Sequence, residues 1–466
     1  MENTSRIRCG RTLRRVALLA LLAGIGIRTD LRSQSLFDAA VGGDLEDTPT
    51  SWLGGFVRSA VYLGKDHGSD AFRFQSVYGQ AGLVLTPSGT RASARADLRI
   101  RSGSEWGTGL TEVDLREAYA TFRAGPLSLH AGKKILSWGM IEAVPSVDKL
   151  TPRDPAVRSP DENEQKLGSW MMQADLSLGS NFRVTAVYKP LYTPSNLPVS
   201  YVPLPDYVTL GAPRYPDDRP GEGSLGMKAD LYGKGVDASL YAFQGEDPWP
   251  ALEPGALDLD SLTFQLHNLE MVRRSYRTRV LGAGLAVPAG PLVLRTQGAW
   301  TEVMDDELRG STVFPEIALA AEVEYSPGQL TFLGGYSVKH VLEYTKAAAS
   351  PSLEAGPDLL SGLPAGVEQH FSAFTRLYND QLEPTFHTLY LILEGQWLQN
   401  RLSVRVPVFA RLTTQEWIFR PSLGWQTGDG LEVRAGFEGL FGPDGSLFDL
   451  AGPPLNCAFL ALTHSF

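Results

Sequence analysis

From residue 52 onward, apolar and polar side chains alternate with a period of two through most of the chain. That is the pattern of strands with one face in water and one in an apolar medium. In 91–101 the positions Arg91, Ser93, Arg95, Asp97, Arg99 and Arg101 are polar, while Ala92, Ala94, Ala96, Leu98 and Ile100 between them are apolar. A helix would scatter those arginines around its axis. The stretch 401–412 repeats the dyad, with Arg401, Ser403, Arg405, Phe409 and Arg411 opposing Leu402, Val404, Val406, Val408, Ala410 and Leu412. So does 431–437, with Glu432, Arg434 and Gly436 against Leu431, Val433, Ala435 and Phe437. Further dyads are read at 172–178, 182–189, 225–232, 236–243, 317–325, 389–397 and 417–425.

Tight turns such as Gly179-Ser180-Asn181 and Thr427-Gly428-Asp429-Gly430 alternate with longer polar connections. This asymmetry is that of outer-membrane barrels, with short periplasmic turns and long outer loops. Counting hairpins from Trp52 gives about eighteen strands, sixteen being the alternative, and an even number places both termini in the periplasm. The expected fold is therefore all-β: a transmembrane antiparallel up-and-down β-barrel over 52–466. A secreted sandwich also alternates. However, thin alanine faces opposite faces crowded with arginine and glutamate suit a wet lumen, and closure leaves no sheet edge unpaired in lipid.

The chain before the barrel reads as an export signal. Arg6, Arg8, Arg11, Arg14 and Arg15 precede the apolar run 16–27, which is too short to span as a mature helix. A signal peptide is expected over 1–34, cleaved between 24 and 34, followed by a short periplasmic segment, 35–51. The chain ends on Phe466, and the alternate positions before it, His464, Leu462, Leu460 and Ala458, lean apolar, with His464 the departure. This resembles the C-terminal signature read by the barrel-assembly machinery, so that machinery, periplasmic chaperones and outer-membrane lipid are the expected partners.

Composition narrows the classes further. No stretch after residue 30 approaches the roughly 18 apolar residues of a spanning helix. Without 1–34 the chain carries 35 basic and 50 acidic side chains, so nucleic acid is excluded as a partner. Cys9 falls in the signal, which leaves Cys457 with no internal disulfide partner. None of the seven histidines sits in a catalytic motif, and no G-x-S-x-G, H-E-x-x-H, C-x-x-C or phosphate loop occurs, so no enzyme, metal or cofactor is expected. Barrel-like alternation from Trp52 leaves no room for the globular plug of a TonB-dependent receptor.

The candidate chemistry lies in the segment 138–165, between the fifth and sixth expected strands. It holds Pro145, Pro152, Pro155 and Pro160 among Asp148, Lys149, Arg153, Asp154, Arg158, Asp161, Glu162 and Glu164. Proline stiffens it and removes strand donors. Folded into the lumen it would form a charged constriction; left outside it is a solvated loop. Strand parity adds Arg91, Arg95, Asp97, Arg99, Arg101, Lys134, Glu394, Arg405 and Arg434 as pore-lining candidates. These side chains either steer solutes or pair with one another across the wet interior, and pairing is the simpler expectation. Rings near strand ends, including Trp52, Tyr62, Trp170, Tyr325, Tyr336, Trp417 and Trp425, are expected to anchor the barrel at the headgroup level. A second long outer loop is expected at 343–384. It contains Val367, Phe371, Phe374 and Leu377 at helical spacing, as in a helix over the mouth. Pro407 and Pro421 fall inside expected strands and mark irregularities there.

The stretch 130–139, with Gly132-Lys133-Lys134 and Trp138-Gly139, followed by Asp148 to Asp154 and preceded by Glu117-Ala118-Tyr119, resembles a G-R-Q, W-G, N-P-x-D pattern. Lys133-Lys134 stands for Arg-Gln, and Thr151 for Asn. The pattern is that of a porin-like outer-membrane family of unassigned function, related in style to alginate-export channels. Members of that family accompany inner-membrane exporters, so the resemblance implies an exporter partner and lipid-like cargo. Three functions are left open. The first is a channel for small solutes, which the charged lumen favours. The others are a conduit for apolar molecules and a non-conducting surface-binding barrel. A monomer is favoured weakly over a trimer.

Overall fold

A computed structural model describes residues 52–65, 71–141, 143–144, 146–197, 208–217, 219–259, 266–347 and 365–466. The signal peptide 1–34 and the segment 35–51 lie outside the described residues. The barrel strands are β1 (Leu53–Lys65), β2 (Phe72–Leu85), β3 (Ala92–Glu105), β4 (Thr108–Ala124), β5 (Leu127–Lys134) and β6 (Ser169–Leu178). They continue as β7 (Phe182–Lys189), β8 (Ser224–Tyr232), β9 (Asp237–Glu246), β10 (Arg277–Ala289), β11 (Leu292–Val303) and β12 (Glu316–Tyr325). The last are β13 (Leu330–Val341), β14 (Thr385–Trp397), β15 (Leu402–Arg411), β16 (Glu416–Phe419 and Ser422–Gly428), β17 (Leu431–Phe441) and β18 (Cys457–Ser465).

Each strand pairs antiparallel with the next, and β1 pairs back to β18 from Phe56↔Ser465 to Gly64↔Cys457, which closes the sheet. Eighteen strands thus form one closed barrel among the described residues. Pro421 splits β16 in two. Opposite the split, the ladder from β15 runs Val408↔Phe419 and resumes at Arg405↔Ser422, and between them Arg420 N–H donates to Pro407 O at 3.1 Å, so Pro407 lies opposite Arg420, one residue before Pro421.

The dyads have the parity expected of a wet interior. On β3, Asp97 and Arg101 are buried inside, whereas Leu98 and Ile100 face out. Val113, Met172, Leu225, Leu240, Leu319 and Leu391 are likewise exposed on the outer wall. Exposed apolar surface of this extent, running around a closed sheet, is a lipid-facing belt, and the architecture is that of outer-membrane barrels. Trp52, Trp170, Tyr325, Tyr336, Trp417 and Trp425 are exposed on it. Tyr62 is a correction: it is fully buried inside the barrel, stacked between Tyr78 and Phe459, because its neighbour Leu63 carries the outward parity.

The chain termini of the barrel meet at the end with short turns, where Gly55 N–H donates to Phe466 O. The other end is uneven. Two of its connections, 106–107 and 412–415, are as short as the turns opposite, contrary to a strict alternation. By contrast, 190–223, 247–276 and 342–384 are long, and their described residues include a cap. In the cap, a small sheet of Val208–Leu210, Ala251–Leu259 and Leu266–Arg274 packs on helix α1 (Ala365–Tyr378). Phe371 joins Leu197, Leu252, Leu269 and Met271 in its core, and Leu252 N–H donates to Thr375 Oγ1 at 2.9 Å. The helical spacing of Val367, Phe371, Phe374 and Leu377 is thus realised as a helix, although the side chain of Val367 lies outside the described residues.

Candidate pore constriction

The connection 135–168 leaves β5 at the long-loop end and turns back between the barrel walls. Its departure is fixed locally. Gly132 sits at φ +137°, where a Cβ would lie 2.2 Å from Ala118 O, and Glu117 accepts from Ile135 N–H at 3.1 Å. Gly139, at φ +131°, makes the second bend.

The first half of the loop is seated by packing. Trp138, Val147 and Leu150 are buried with Met171, Val187, Tyr241, Phe243, Val280 and Ala299 on the facing walls. Wall glycines make room: a Cβ on Gly226 would come within 2.8 Å of the Trp138 ring, and one on Gly282 within 2.5 Å of Val147. Ile141 is fully buried beside Ala320 and Tyr390, and Met140 N–H donates to Gln297 at 2.7 Å. Asp148 organises the turn, accepting from Leu150 N–H, Thr151 N–H and the hydroxyls of Thr151 and Ser137. Burial pushes its carboxyl above the ordinary range despite those donors. Lys149 pairs with Asp247 at 2.6 Å; burial alone would lower its ammonium, but Asp247 and Glu316 hold it above the usual lysine range.

The second half is seated by charge. Arg158, 3% exposed, donates to Glu438 at 2.9 Å, Gln75 at 2.8 Å, the carbonyls of Pro454 and Leu455, and Cys457 Sγ. Its guanidinium also lies over the rings of Trp106 and Tyr62. Six residues on, Glu164 is buried between Arg58 and Arg99, each at 2.8 Å. Burial raises its carboxyl, but the two guanidinium groups and Ser159 outweigh that and leave it at about 2. Glu162 bridges Arg405 at 3.2 Å and Arg420 at 3.1 Å; against burial, these two hold it below the usual range. Arg116, unpaired in the ladder at a register shift, donates to Glu164 O at 2.8 Å.

The loop therefore reaches β6–β12 and β14 with its first half and β1–β4 and β15–β18 with its second, spanning the lumen. Among the sequence candidates, Asp97, Arg99, Arg101, Arg158, Arg405 and Arg434 gather around the charged tip. Asp97 holds Arg99 at 3.0 Å, Arg101 pairs with Glu105 at 2.7 Å, and Arg434 pairs with Glu432 at 2.8 Å while donating to Pro160 O. Arg95 with Glu117, and Glu394 with Arg405, lie on the lumen wall toward the short-turn end, both at 2.8 Å. Arg91 is exposed beside the 86–91 turn. Lys134 donates to Gln173 at 3.2 Å. Asp148 and Lys149 hold the loop, and Asp154 accepts from Asn196 at 2.7 Å, tying it to the cap side. Arg153 is tied there through its backbone, which donates to Ser195. Sequence reading did not single out Arg58, Gln75, Tyr78, Arg116 or Asp247. Parity carried a signal for Arg58, which shares the inward face of Ala60 and Tyr62.

No protein-family model matches the sequence, and no curated protein matches it. By shape the chain is similar to the outer membrane protein opdK from Pseudomonas aeruginosa, at 9% identity and a TM-score of 0.50, over 89% of this chain and 98% of that one. It is also similar to Pseudomonas aeruginosa OccK2 (OpdF), solved in complex with glucuronate, at 12% identity and a TM-score of 0.50, over 89% and 95%. Both likenesses concern the fold.

Proposed function

We propose that the protein is an outer-membrane channel for small hydrophilic solutes, with its short turns in the periplasm and the loop 135–168 as the constriction every solute passes. The observation that carries this reading is the loop itself, held inside a closed, lipid-belted barrel by Glu162, Glu164 and Arg158. Charge at a constriction sets which ions and polar solutes enter. The lumen wall offers such solutes acid and base side by side, as in Arg295 with Glu322 and Glu324, at 3.0 and 2.7 Å. An apolar cargo would strip water from these groups without replacing it.

The test is single-channel recording of the purified protein in a planar bilayer in potassium chloride, with ion selectivity read from the reversal potential. Discrete steps whose selectivity shifts in Arg99→Ala or Arg405→Ala are expected. A folded barrel that leaves the bilayer sealed, in wild type and in loop variants alike, would overturn the channel.

A further inference from the structure

We infer that the outer wall carries a lipid-binding pocket at its long-loop end, between β17 and the start of β2, which takes one acyl chain of a phosphorylated lipid from the adjoining leaflet. The inference rests on this wall facing lipid and is independent of conduction.

The pocket exists because a ladder stops early. β17 continues to Phe441, but its pairing with β18 ends at Glu438↔Cys457. Above that point the place of a neighbouring strand is taken by helix α2 (Leu447–Leu455), which is tied down by Phe448 N–H donating to Glu416 at 2.8 Å. The gap is a groove open to the outer face, with about 720 Å³ of space, within the range that holds a small ligand. Phe437 and Phe441 form one side, Phe72 the other, Leu63 and Ala458 the floor, and Pro453 of the helix the roof.

An open ladder beside lipid would leave backbone groups without partners. Here Asn456 replaces the missing strand: Leu440 N–H donates to its Oδ1 at 2.7 Å and its Nδ2 donates to Leu440 O at 3.1 Å. Apart from Lys65, Asn456 and Asp449, whose carboxylate accepts from Gly445 N–H at 2.9 Å, the lining is apolar, which suits hydrocarbon. The mouth opens among side chains already on the lipid-facing belt, with Phe72 69%, Phe441 47% and Leu63 40% exposed. Lys65, exposed at the end of β1 and part of the lining, puts a cation where headgroup phosphates lie.

The test uses the full-length mature barrel inserted into vesicles of phosphatidylethanolamine and phosphatidylglycerol, released in mild detergent, and weighed by native mass spectrometry. Wild type is expected to retain one lipid, enriched in phosphatidylglycerol. Ala458→Trp, which fills the floor from the outer face, is expected to lower retention about tenfold. Leu63→Trp provides the same obstruction from the next strand, should Ala458→Trp fail the heat-modifiability check for folding. Lys65→Ala is expected to keep the lipid and lose the enrichment. An inserted barrel that emerges free of lipid, or tryptophan variants that retain as much as wild type, overturns the pocket; enrichment that persists in Lys65→Ala overturns the phosphate contact. A chain that does not insert at all would instead sink the membrane reading.

Discussion

The two halves of the loop 135–168 reach opposite walls of one lumen by different physics. Around Trp138, Val147 and Leu150 the wall is smooth and glycine-notched, and contact is mainly by shape, with one buried ion pair, Lys149 with Asp247. Around Arg158, Glu162 and Glu164 the wall is lined with guanidinium groups, and contact is by charge. Packing inside a closed core responds little to salt or protons, whereas ion pairs respond to both, and more strongly the wetter they are. The charged half is therefore the one that salt or acid should loosen first.

Removing the deepest pin should break the comparison most. Arg158→Ala strips Glu438, Gln75 and three further acceptors of one shared donor and leaves the carboxylate facing an emptied, half-dry site. Such a loss costs about 3–5 kcal/mol. Local docking should fail while the barrel, held by its closed ladder, stays folded. Single-channel conductance should rise and its noise increase, with heat-modifiable migration unchanged.

Acid should act on the same half with somewhat less force. Glu164 titrates at about 2 when docked, and near 4.3 when the loop is free, so its contribution is fully present above about pH 4.5 and is lost as the pH falls toward 2. The difference is worth about 3 kcal/mol. Conductance of wild type should be flat from pH 7 to 5 and climb below 4. Glu164→Gln should show the raised conductance at neutral pH and no climb.

Much of this was legible before the structure. Period-two alternation dictates strands wherever one face meets lipid and the other water, so the barrel, its strand number to within two, and the inward parity of Arg95, Asp97 and Arg99 follow from residue order. The loop's four prolines and its charge marked it out. Its partners were not legible, because Arg158 meets Glu438 across 280 positions of chain and no local pattern records that pairing. Nor did charge reveal the packed half. Gly226 and Gly282 read as gaps in strands until Trp138 and Val147 are seen filling them. The motif's glycines, Gly132 and Gly139, turn out to serve the backbone, by close approach and positive φ.

Truncating the packed half sharpens the contrast from the other side. Leu150→Ala, at 1% exposure in the lumen core, should loosen this half by about 2 kcal/mol. Its conductance change should be the same at 0.1 M and 1 M potassium chloride after correction for bulk conductivity, and the same at pH 7 and pH 5. A strong salt dependence in this variant would mean that charge seats both halves.

The smallest effect should come from the wettest tie. Glu162 is 39% exposed at its side chain, and its partners Arg405 and Arg420 are 37% and 28% exposed, so water screens the pairs and each contributes less than about 1 kcal/mol. Raising salt from 0.1 M to 1 M shortens the screening length from about 10 Å to about 3 Å, enough to weaken these pairs while leaving buried Glu164 with Arg58 nearly intact. Corrected for bulk conductivity, wild-type conductance should therefore rise slightly with salt. Glu162→Gln should start at the raised level and lose that residual slope, whereas Glu164→Gln should keep it. If the two variants behave alike, burial does not separate the two carboxylates and the charged half releases as a single unit.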